Sequence, residues 1–99
     1  MSVSQPLESD RVLDQAKELA LQHEIKTFIQ SEFPAFQSDL FSADTPLLEG
    51  GAIDSLGVIE LVAFLEEKYG VEFDDDDFET ENLETLTALT RLVISKTTR

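Results

Sequence analysis

The chain has 99 residues, 41% of them hydrophobic, with 3 prolines and 4 glycines. That is one domain with a small core, which excludes collagen-like, low-complexity and fully disordered classes. Twenty-one acids against seven bases give a net charge of −14, which a phosphate backbone would repel, so no nucleic-acid partner is expected. No cysteine is present and His23 is the only histidine. Disulfides, thiolate or histidine metal centres and a cysteine nucleophile are thereby excluded, and the composition suits a reducing, cytoplasmic setting. No run approaches the ~20 apolar residues of a membrane span, so no membrane insertion is expected.

Residues 7–33 carry strong helix formers without glycine or proline until Pro34. Leu21, Ile25, Phe28 and Ile29 share one face, whereas Leu13, Ala16, Leu19 and Ala20 fall on the other side of the same cylinder. The pattern predicts a domain helix over about 22–33, preceded by an N-terminal extension, 1–21, that is either a separate helix or a frayed one. Pro34 ends the run because its ring and missing N–H cannot continue the ladder. Residues 34–53 then read as a long ordered loop. Phe36, Leu40, Phe41, Leu47, Leu48 and Ile53 have no helical or strand period, and are expected to pin the loop to the core.

The next helix is predicted from Asp54, a good N-cap, to Tyr69, with Gly70 at the left-handed C′ position. Val58, Leu61, Val62, Leu65 and Tyr69 form its core stripe. Leu56, Ile59 and Ala63 form a smaller stripe opposite, beside Glu60 and Glu67. Scattered surface aliphatics are ordinary. Aliphatics rimmed by acids instead suit a partner that is apolar in the middle and basic at the edge. Residues 54–84 hold twelve acids against Lys68 alone, so the same segment is either a solubilising face or a docking surface.

A short helical turn is expected to start in Asp74 to Asp77. An EF-hand fails there, because the sixth residue from Asp74 is Glu79 and the twelfth Thr85, where glycine and glutamate are needed. No metal site is expected. The last helix is predicted to begin near Asn82 and to bury Leu83, Leu86, Leu89, Leu92 and Val93, with Arg91 and Lys96 toward its end. The architecture is all-α: three main helices plus one short helix, with a long first loop.

Hydrolytic triads, glycine-rich phosphate loops and dinucleotide fingerprints are missing. Exposed carboxylates would stay ionised and lack the apolar pocket that tunes a general acid, so no catalytic residue is assigned. Ser55 stands out. It falls at the first helical position after Gly50-Gly51-Ala52-Ile53-Asp54, accessible to a modifying enzyme. A phosphodiester on its oxygen would lie at the positive end of the helix.

Asp54-Ser55-Leu56, followed by Glu60-Leu61-Val62, Leu65-Glu66-Glu67 and Tyr69-Gly70-Val71-Glu72-Phe73, resembles the acyl and peptidyl carrier-protein family over about residues 22–97. The resemblance implies a small right-handed four-helix bundle, a carrier domain over 22–97 and a tail at 98–99. It also implies that a phosphopantetheinyl transferase attaches 4′-phosphopantetheine from coenzyme A to Ser55, with Asp54 and Leu56 beside it. The arm's thiol would then hold acyl intermediates as thioesters. An acyl- or aminoacyl-loading ligase and condensing or transferase enzymes with basic docking patches are the expected partners. They would meet Leu56, Ile59, Glu60, Ala63, Glu66, Glu67, Asp74 and Asp75. Gly57, Ala63 and Lys68 depart from the fatty-acid carriers of the family, Gly57 by thinning the contact surface, which favours a specialised pathway. The expectation is a discrete, monomeric acyl carrier. The alternatives are a stand-alone peptidyl or aminoacyl carrier of a nonribosomal-type pathway, and an acidic helical adaptor without a prosthetic group.

Overall fold

The computed structural model describes the chain from Glu8 to Thr97, with side chains from Gln15 onward. The N-terminal sequence forms one helix, α1, Glu8–Glu32, running across positions 21–22 without a break. The outer apolar residues therefore lie on the same helix as the core ones: Ala16, Leu19 and Ala20 are exposed, while Ile25 and Ile29 are fully buried. The side chain of Leu13, residues 1–7 and the tail at 98–99 lie outside the described residues. Pro34 ends α1 and opens a single 3₁₀ turn, Pro34–Phe36.

The loop that follows is largely part of the core. Phe36, Phe41, Leu47 and Ile53 are buried and Leu48 half-buried, so burial replaces the missing secondary structure. Leu40 is the exception: expected to pin the loop, it is 88% exposed. It lies in the turn Ser38–Phe41, where the backbone N–H of Phe41 donates to Ser38 O at 3.1 Å and that of Leu40 to Ser38 Oγ at 3.0 Å. That turn buries Phe41 and leaves its neighbour outside.

Helix α2 is Ser55–Tyr69. Leu61, Val62 and Leu65 face the core, and Val58 and Tyr69 are half-buried. Gly70 ends the helix at φ 65° and ψ 32°, a left-handed conformation that glycine adopts without a Cβ penalty.

The acidic segment forms a 3₁₀ turn, Asp75–Phe78, and the short α-helix comes later, as α3, Thr80–Leu83. The last helix begins not at Asn82 but at Leu86: α4 is Leu86–Thr97. Asn82 sits inside α3, its side-chain amide directed at Asp76 O and Asp77 O. Two observations explain the break. Glu84 O accepts the N–H of Leu47 at 2.8 Å, so this carbonyl serves the long loop rather than a helix ladder. Thr85 then caps the new start, accepting the N–H of Ala88 on its Oγ1 at 3.1 Å.

Helix α1 packs mainly on α4, and α2 also packs on α4, adding Leu61, Val62 and Leu65 to the shared core. Ile25, Ile29, Leu47, Leu65, Leu86, Leu89 and Val93 are the innermost apolar members of the core. The predicted all-α bundle of three long helices and one short one is the architecture observed.

Candidate functional site

The site grows from the turn before α2. Gly50 and Gly51 have φ of 66° and 75°, so two consecutive left-handed residues swing the chain round before Ile53 plunges into the core. No atom lies within 4 Å of where a Cβ would stand on either glycine, so the requirement is conformational rather than spatial. Asp54 then takes extended backbone angles, and its Oδ1 accepts the N–H of Gly57 at 2.8 Å. The carboxylate thereby caps the helix start.

Ser55 is the first residue of α2 and is exposed. Its hydroxyl enters no hydrogen bond among the described residues. Leu56 and Ile59 stand out at 64% and 62% exposure, and Glu60, Ala63 and Glu67 are exposed on the same side of the helix. The structure thus brings Ser55, two bare aliphatics, Ala63 and two carboxylates onto one surface. Glu66 is placed differently. It is half-buried, and its Oε2 accepts the N–H of Phe73 at 2.9 Å, which fastens the segment after α2 to the helix. Asp74 and Asp75 are exposed and follow the point where Phe73 is fastened to Glu66, outside α2 itself. Asp74 caps the 3₁₀ turn together with Asp77, whose carboxylate accepts the N–H of Asp74 at 2.6 Å.

Gly57 corrects the sequence expectation. It is buried and lies off the exposed outer side of α2. A Cβ there would stand 2.9 Å from Ile53 Cγ2 and 2.9 Å from Phe33 Cε1, so the missing side chain lets the end of α1 close on the first turn of α2. A glycine inside an otherwise strong helix was the available signal.

Two further groups escaped sequence reasoning. Phe28 and Phe64 stack with centroids 3.8 Å apart and planes at 10°, joining α1 to α2. Tyr69 adds a hydrogen bond across the same helix pair, its hydroxyl donating to Glu24 Oε1 at 2.7 Å. Burial, then that bond and the charge of Glu24, push the phenol well above its ordinary range. Lys96 reaches from α4 to the acidic turn, where its buried ammonium pairs with Asp77 and lies over Phe73. Nothing in spacing alone links residues 77 and 96.

Among the described residues no group of three histidine or acidic side chains is arranged to hold a metal ion. No described helix is long and apolar enough to cross a membrane. The surface that remains is a helix start with a free hydroxyl, flanked by a rim of carboxylates.

The family follows from the sequence match. A family model described as "Phosphopantetheine attachment site" matches residues 23–93, and the chain belongs to that family. It is therefore a carrier protein whose prosthetic group is covalent 4′-phosphopantetheine. No curated protein matches the chain.

Proposed function

We propose that Ser55 is the attachment residue and that the chain is an acyl carrier, passing acyl intermediates between separate enzymes of a fatty-acid, polyketide or specialised-metabolite pathway. One observation supports this most: the exposed, unengaged hydroxyl of Ser55 opens the same helix whose outer side carries Leu56, Ile59, Glu60 and Glu67. The fit to the group is local. Ser55 opens α2, and the amides of the first helical turn meet an attached phosphate with the positive end of the α2 dipole. Asp54 keeps that end wound through its bond to Gly57. The terminal thiol of bound 4′-phosphopantetheine supplies the thioester link that a cysteine-free chain lacks.

The residues of the chain contribute binding rather than proton transfer. Leu56 and Ile59 offer apolar area at the centre of the docking side, and Glu60 and Glu67 steer basic partners: the phosphopantetheinyl transferase, a loading ligase, and condensing or transferase enzymes.

Intact mass after incubation with coenzyme A and a broad-specificity phosphopantetheinyl transferase tests the assignment. The wild type should gain one phosphopantetheinyl group and Ser55→Ala none. Equal gain by both, or none by the wild type, overturns it. Mass analysis of the protein from its native source separates acyl from aminoacyl cargo; an amino acid on the arm would make this a peptidyl carrier. Glu60→Lys and Glu67→Lys should lower the kcat/KM of transfer by several-fold at low salt and by less at high salt.

A further inference from the structure

Lys68 is the one base in a segment with twelve acids, and the structure gives it a fixed post. One face of the Phe64 ring is taken by Phe28, and the Lys68 ammonium lies over the ring at 5.8 Å from its centroid, within cation–π range. The two residues are one turn apart on α2, so the helix itself sets the pairing. Lys68 is exposed and forms no ion pair among the described residues, although Glu67 is its neighbour in sequence. Phe64, Glu67 and Lys68 together line a cleft of about 300 Å³ that adjoins the acidic docking side. The docking side is therefore bordered by both signs: carboxylates at Glu60 and Glu67, and on its Phe64 flank, near the C-terminal end of α2, a held positive charge.

We infer that Lys68, held over Phe64, determines partner specificity. It fits partner proteins that set bases against Glu60 and Glu67 but an acidic side chain against the last turn of α2. It disfavours partners whose basic patch continues to that turn, since two like charges brought together there cost more than either gains elsewhere. The inference rests on α2 being the docking helix, as proposed above, and adds the chemistry of the partner at one end of it.

The probes are two phosphopantetheinyl transferases, one with a basic carrier-binding face and one whose face is acidic at the position meeting the end of α2. Loading of wild type, Lys68→Gln and Lys68→Glu is followed by intact mass at low and high salt, with circular dichroism as the check on folding. With the basic-faced enzyme, Lys68→Glu should raise kcat/KM roughly three- to tenfold at low salt, Lys68→Gln less, and both gains should shrink at high salt. With the acidic-faced enzyme the order should reverse. In a Phe64→Leu background, where the ammonium loses its post, the effect of Lys68→Glu should be smaller. Rates that ignore position 68, that change equally with both enzymes, or that respond identically with and without the Phe64 ring overturn the inference. A wild type that takes up no phosphopantetheine would instead sink the proposed function, so the two failures are distinguishable.

Discussion

Gly57 illustrates how one missing methyl group can govern a helix junction. Glycine in a helix interior costs about 1 kcal/mol relative to alanine, so Gly57→Ala would be expected to stabilise an ordinary exposed helix. Here the added Cβ would meet Ile53 and Phe33 at 2.9 Å, and crowding of that kind costs roughly 1–3 kcal/mol. Gly57→Ala should therefore lower stability by about 1 kcal/mol net, and Gly57→Asp by more because it buries a charge; urea unfolding measures both. Tyr69 makes a prediction in pH. Its folded pKa is raised above the ordinary value of 10.0, so the stability it contributes is complete below pH 10 and is lost as the pH climbs toward the folded value. Urea midpoints should fall above pH 10 in the wild type, with that part of the slope missing in Tyr69→Phe.

At the scale of elements, the ion pair between Lys96 and Asp77 decides how the acidic turn sits on α4. Lys96→Met removes the buried ammonium that pairs with Asp77 in a largely buried place and should cost about 2–3 kcal/mol. Adding Asp77→Asn, which keeps an acceptor for the N–H of Asp74, should recover most of that loss in thermal unfolding. Thr85→Ala should cost about 1 kcal/mol by uncapping α4. These elements also show what could be read in advance. The bounds of α2, its cap at Asp54, its stop at Gly70 and its buried and bare stripes all follow from local rules of period, capping and backbone freedom, and so were legible. The start of α4 was not, because Glu84 O is claimed by Leu47, a partner far away in sequence. Leu40 went astray for a related reason: composition says that a loop is apolar, but only its folded course says which leucine turns inward. Of the candidate site, the Ser55 surface could be read from one helix, whereas Phe28 on Phe64 and the post of Lys68 depend on two.

For the molecule as a whole, a charge of −14 on 99 residues opposes compaction by self-repulsion. Screening should relieve it, so raising sodium chloride from 10 mM to 500 mM should raise the melting temperature, and a flat response would mean that the acids are too dispersed to matter. Against that repulsion the fold sets one long-range clasp. The N–H of Leu47 donates to Glu84 O at 2.8 Å, and Ala43 O accepts both the N–H and the hydroxyl of Thr87 at 3.1 and 3.2 Å. In heavy water, then, the amide of Leu47 should keep its proton about as long as the helical centres, because releasing it requires the chain to open across forty residues. A stretch without regular secondary structure would exchange like the middle of a helix, and its protection would report global unfolding rather than local fraying.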